Sequence, residues 1–196
     1  MILPLVIGTF SFVPMAASDY LRLRGRPGSG GALFAVGCGL LCVSTLWLFW
    51  ESSWAELCRI CAVPMALAFV SLLLLVYSVF FAVRPRQADQ LACPAGMQPL
   101  VCHGMYALCR HPGVLWLAGF YGFMTLAWRS RQWLLAFALF TLEDVLYVCY
   151  QDRCIFPRTI DRYGEYQKTT PFLIPTASSV KEALASFKQS ERNKWP

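Results

Sequence analysis

Charge is scarce in this sequence. Only 17 basic and 11 acidic side chains occur among 196 residues, 14% of the chain, where a soluble domain carries about 25%. Hydrophobic residues make up 57%, against about 45–50% in an ordinary globule. So few charges do not cover the surface of a water-soluble domain of this length, and so apolar a chain does not stay disordered. Paired cysteines are missing too. Nine cysteines is an odd number, and four of them fall within apolar runs, which argues against a disulfide-stapled secreted domain. Metal motifs are nearly absent: the one short pair, Cys58 and Cys61, has no second pair nearby. No internal repeat and no nucleic-acid signature occur. What remains is an all-α integral membrane protein, with room for about five spans of ~20 residues.

Five apolar runs fit that class. They are Met1–Ala17, Ala32–Trp50, Ile60–Val83, Gly113–Trp128 and Trp133–Tyr150. The first has no basic leader before it and carries its charges behind it, so it reads as a span and not as a signal peptide. The fourth and fifth are short and are joined by Arg129–Arg131, which predicts a helical hairpin. Lysine and arginine bias sets the orientation. Arg22, Arg24 and Arg26 follow the first run; Arg84, Arg86 and Arg110 follow the third; eight more basic residues follow the fifth. Arg59, Arg129 and Arg131 lie on the opposite side with Glu51 and Glu56. The C-terminus is therefore expected in the cytosol. The linear division is residues 1–59 for the first two spans, 60–175 for a membrane core with a C-terminal lid, and 176–196 for a basic tail.

Ionisable residues inside apolar runs are expensive and mark function by default. They occur only in the fifth, as Glu143 and Asp144. At helical spacing, Glu143, Tyr147 and Gln151 share one face, and Asp144, Val148 and Asp152 the next. A second cluster lies at the entry to the fourth run: Gly104, Tyr106, Arg110, His111, Pro112. Pro112 suits a first helical turn, whose amide protons, with Arg110, favour an anion. A third follows the fifth run: Gln151, Asp152 and Arg153, then Tyr163 and Tyr166, then Pro171, Ile174 and Pro175. Two tyrosines three apart, followed by a proline-bounded apolar patch, are expected to fold back as a lid over the site. Beyond them, Ser179 and Glu182 have capping-box spacing. Val180, Leu184 and Phe187 fall on one face of a basic helix expected on the membrane surface.

Taken in order, these blocks resemble the isoprenylcysteine carboxyl methyltransferase and phospholipid methyltransferase superfamily of membrane enzymes. That family's pattern runs Gly-x-Tyr-x-x-x-Arg-His-Pro, a helical hairpin, Glu-Glu, Tyr-x-x-Tyr and a Pro-x-x-Ile-Pro strap. Gly104, Tyr106, Arg110, His111 and Pro112 match the first block. Tyr163, Tyr166, Pro171, Ile174 and Pro175 match the last. Val114 stands where the family has tyrosine, and Gln151-Asp152 where it has Glu-Glu, as in a divergent branch. The resemblance covers about residues 65–175.

It implies methyl transfer from S-adenosylmethionine to a lipid-like acceptor at the cytosolic face, without metal. Cofactor binding then falls to Tyr106, Arg110, His111, Pro112, Gln151, Asp152, Tyr163 and Tyr166. Asp152, Arg153 and Arg158 would serve catalysis and hold the acceptor, most simply the carboxylate of a prenylated cysteine. Membrane lipid is the surrounding partner. The alternatives are a phospholipid amine N-methyltransferase and a non-catalytic membrane scaffold of the same fold.

Overall fold

The computed structural model of the chain describes residues 2–52, 62–83, 85 and 93–192. Cys58 and Cys61, with Glu56, Arg59, Arg84 and Arg86, lie outside the described residues. The helices are α1 (Leu3–Leu23), α2 (Pro27–Glu51), α3 (Ala62–Val76), α4 (Met105–Leu108), α5 (Pro112–Trp128), α6 (Arg131–Tyr150), α7 (Phe156–Thr159), α8 (Tyr163–Thr169) and α9 (Ala177–Arg192). Two wide π turns interrupt them, Tyr77–Phe81 after α3 and Gln151–Ile155 between α6 and α7. Among the described residues the one β feature is a single parallel bridge between Gln98 and Ile160. The all-α class expected from the sequence is thus observed. Among the described residues, three helical stretches are long and apolar enough to cross a membrane: Gly28–Glu51, Ala62–Phe81 and Arg131–Thr159. Their large apolar side chains point outward, with Leu46, Phe69 and Leu146 each more than half exposed, the arrangement lipid requires and water penalises.

The chain divides into two compact units. One comprises Met1–Leu72 and Leu117–Ile155, the other Leu73–Trp116 and Phe156–Pro196.

In the first unit, α1 buries Leu5, Gly8, Phe12, Met15 and Asp19, the three-and-four spacing of one helix face. Small residues let α2 approach that face closely. A Cβ on Gly37 would stand 2.7 Å from the Ser11 carbonyl oxygen, and Ser44 Oγ donates to the Pro4 carbonyl at 2.7 Å. Close backbone approach through small residues is how helices associate where lipid supplies no hydrophobic drive. Tyr121, Trp133 and Phe140 are almost fully buried, with Tyr121 and Phe140 edge to face at 5.2 Å. Trp133 Nε1 donates to Ser52 Oγ at 2.9 Å and Gln132 Nε2 to Glu51 at 3.3 Å. Arg129 takes a left-handed backbone, φ 49°. Ser130 then caps α6 by accepting from the Gln132 amide at 3.3 Å.

Three features of the helices differ from the sequence expectation. Helix α1 continues past Ala17 to Leu23, because Ser18 and Asp19 are buried on its packed face and are not part of a loop. Helix α6 ends at Tyr150 as expected, but the helical rod runs on through the π turn and α7 to Thr159, held by the burial of Asp152 and Ile155. The capping box of α9 lies one turn earlier than Ser179–Glu182. Thr176 is the cap: its amide donates to Ser179 Oγ at 2.9 Å, and the Ser179 amide donates back to Thr176 Oγ1 at 3.2 Å. Pro175 stops the chain from entering the helix sooner. Val180, Leu184 and Phe187 are exposed, as their shared face predicts, while Ser179 and Ala183 are buried.

The contact between α1 and α2 yields a signed prediction. Glycine to alanine in a helix normally stabilises by about 0.5–1 kcal/mol. Gly37→Ala is expected to lower the unfolding temperature in detergent, because beside the Met15 side chain the new Cβ meets the Ser11 carbonyl, which as backbone cannot move aside. Gly39→Ala, with nothing within 4 Å of the new Cβ, is expected to leave it unchanged or raise it.

Candidate functional site

In the second unit the sequence builds a clasp around the Arg-His-Pro turn. Gly104 opens it with φ 63°, a conformation that costs other residues energy, and its amide donates to Ser186 Oγ on α9 at 2.8 Å. The single turn α4 carries Tyr106. Cys109 is then extended, so the chain turns sharply before α5 begins at Pro112. The segment after α8 runs alongside as a strap. The Arg110 amide donates to the Pro171 carbonyl at 2.9 Å and the His111 amide to the Phe172 carbonyl at 3.3 Å. Arg110 Nη1 donates to the Gln167 carbonyl at 2.8 Å, and its guanidinium lies 5.5 Å above the centre of the Phe172 ring. The expectation that amide protons here wait for an anion is therefore amended. The two before Pro112 are taken by the strap.

His111 is buried, stacked on Phe156 at 5.8 Å and edge-on to Phe172 at 5.1 Å. Phe156 meets Tyr163 at 5.4 Å, and Tyr163 meets Tyr166 at 5.7 Å. The Tyr166 hydroxyl donates to the Tyr106 carbonyl at 2.6 Å, and the Tyr106 hydroxyl to the Ser78 carbonyl at 3.2 Å. Burial, with Cys109 nearby as the lesser cause, pushes Tyr106 up to about 12. Burial pushes the Cys109 thiol up to about 11, partly offset by the His111 backbone. Tyr166 is raised as well, again chiefly by burial. Both phenols therefore stay protonated near neutral pH and act as donors, not as bases. A cavity of about 390 Å³ opens beside Tyr166, lined by Leu100, Cys102, Asp161, Arg162, Glu165 and Thr169 among others. Asp161 and Arg162 pair at 3.1 Å on its wall.

Of the residues expected from the sequence, Tyr106, Arg110, His111, Pro112, Tyr163 and Tyr166 are brought together in this unit. Arg158 belongs to it and is exposed. Gln151, Asp152 and Arg153 belong to the first unit, all within the π turn, an irregularity frequent at functional sites. Asp152 is buried and Arg153 exposed. The Gln151 amide is committed to Asp19, donating to its Oδ2 at 2.7 Å, and the Tyr147 hydroxyl donates to the same oxygen at 2.7 Å. Glu143 is half-buried, with Thr9 as a hydrogen-bond partner.

Sequence reasoning missed Asp19, Phe156 and Phe172. Asp19 fell just past the first apolar run. Its signal was its position one turn beyond Met15, in phase with the buried face of α1. Phe172 stands inside the proline strap, whose named residues were Pro171, Ile174 and Pro175. No family model, curated protein or solved structure matches the chain. Among the described residues no group of histidine, cysteine or acidic side chains is arranged to hold a metal ion.

Tyr166→Phe is expected to destabilise the protein by about 1–3 kcal/mol, because it leaves the Tyr106 carbonyl without its buried donor. Thermal unfolding of the purified variant against the parent measures this.

Proposed function

We propose that this chain is a membrane methyltransferase that moves a methyl group from S-adenosylmethionine to a lipid-like acceptor. We further propose five spans, with α5 and α6 as a hairpin and the site on the cytosolic face. One observation carries the reading. The two sequence blocks of the resemblance, about sixty residues apart, clasp one another in the second unit through the Arg110–Pro171, His111–Phe172 and Tyr166–Tyr106 hydrogen bonds.

The donor set suits the cofactor. Its amino-acid end carries a carboxylate, which a guanidinium binds well. Its sulfonium cation and purine suit aromatic faces such as His111, Phe156 and Phe172. When bound, it supplies an electrophilic methyl group. The chain's own contribution is to orient and to exclude water. Arg110 and His111 fix one end. Tyr163 and Tyr166 cover the strap side, and their protonated phenols remove no proton. On the resemblance alone, Asp152 would accept from the ribose hydroxyls, and Arg153 and Arg158, both exposed, would meet an anionic acceptor. A carboxylate acceptor needs no base, so transfer to a prenylated cysteine is the chemistry these residues serve most simply. Asp161 and Glu165 on the cavity wall favour a second reading, a cation-bearing acceptor such as a phospholipid amine.

Transfer of labelled methyl to prenylcysteine analogues and to phosphatidylethanolamine, in nanodiscs, tests the reading. Label is expected on the prenylcysteine ester and not on an analogue lacking the chain, since each buried methylene contributes about 0.8 kcal/mol. His111→Ala and Asp152→Asn are each expected to weaken cofactor binding about 10–150-fold, the loss of one charge-assisted hydrogen bond. Arg153→Ala is expected to slow turnover at nearly unchanged cofactor affinity. Label only in phosphatidylethanolamine moves the assignment to the amine branch. Label in neither, with no cofactor binding, leaves a scaffold.

A further inference from the structure

We propose that Asp19, on α1, is a positioning residue that holds the π turn Gln151–Ile155 in register and so keeps Asp152 turned inward. Its consequence for cofactor binding rests on the function proposed above; the register itself does not.

The argument begins with cost. Asp19 is 3% exposed, and a buried carboxylate persists only where donors meet it. Two donors do, both on one oxygen: the Tyr147 hydroxyl and the Gln151 amide, each at 2.7 Å. Both come from the rod formed by α6 and its π turn, one helical turn apart. Tyr147 lies in the last turn of α6, and Gln151 is the first residue of the wide turn. α1 thus grips the rod at the point where its hydrogen bonding changes.

A wide turn holds one residue more than regular α-helix would. It persists only if the helix is fixed on both sides of it. Within the turn and at its far end, Asp152 and Ile155 are buried while Arg153 and Cys154 are exposed. On the near side, the Asp19 carboxylate is the fixture. With that grip released, the rod can relax to regular helix, turning each later residue by about 100° into the direction of its successor. The offset builds up across the turn, so Cys154, near its end, swings most of a step toward the buried direction of Ile155, while Asp152, at its start, turns by less and loses its inward setting only in part.

The native thiols report this without any added label site. Cys154 is exposed, and Cys149, before the wide turn, is half-buried. The experiment alkylates the full-length protein in detergent with a maleimide and follows each cysteine by peptide mass spectrometry, in the parent, Asp19→Ala, Asp19→Asn and Tyr147→Phe. Asp19→Ala is expected to lose Cys154 labelling relative to Cys149. Asp19→Asn, which retains an oxygen acceptor, is expected to keep it. Tyr147→Phe, which removes a single donor and leaves Gln151 in place, is expected to fall between them and covers the case in which Asp19→Ala does not fold. S-adenosylmethionine titrations of the same samples are expected to show about tenfold weaker binding for Asp19→Ala, with recovery in Asp19→Asn. Unchanged Cys154 labelling in both Asp19→Ala and Tyr147→Phe overturns the proposal. Changed labelling with unchanged cofactor affinity keeps the grip on the register and removes Asp152 from the cofactor site.

Discussion

Two carbonyl oxygens, those of Pro171 and Phe172, take the amide protons of Arg110 and His111, and the second unit is organised around that pairing. The Arg-His-Pro turn cannot satisfy its own backbone. Pro112 has no amide proton, and the extended Cys109 ends α4 before any further helical bond can form. In so apolar a chain, water is not a dependable substitute, and an unsatisfied buried amide is costly. The strap answers with carbonyls, and its prolines hold it extended. Once it is seated, Phe172 lies under Arg110 and against His111, and Phe156, Tyr163 and Tyr166 continue the aromatic wall. The residues that carry the resemblance are thus also those that satisfy the turn.

The same constraint explains the first unit by different means. There buried polar groups sit inside or at the ends of long apolar helices, and several of them take partners from neighbouring helices. Ser44 bonds the Pro4 carbonyl, Trp133 bonds Ser52, and Asp19 gathers Tyr147 and Gln151. Glycines at the contact of α1 with α2 bring backbones near enough for such bonds to form. Scarce charge and close small-residue packing are two sides of one arrangement. With few ionic partners available, specificity comes from hydrogen bonds at short helix–helix distance.

Helical class was legible in the sequence because unbroken apolar runs permit little else. The strap and the tyrosine pair were legible because prolines and spaced tyrosines are local signals. Helix ends were harder. Asp19 looked like the start of a loop, since its partners lie about 130 residues away and no local pattern announces them. The π turn was illegible for the same reason: it answers to what packs on either side of Gln151, not to the order of residues within it. Ser179 was recognised as a capping residue but paired with Glu182, because Thr176 becomes the cap only once Pro175 fixes where α9 begins. The role of Phe172 depends on a ring set edge-on to a histidine sixty residues away.

Whether the clasp around Arg110 and His111 serves a cofactor is answered most directly by calorimetric titration of the purified, detergent-solubilised chain with S-adenosylmethionine. The account predicts saturable binding at one site per chain, competed by S-adenosylhomocysteine. Absence of binding by a protein that unfolds cooperatively on heating would contradict it and leave the clasp as architecture alone.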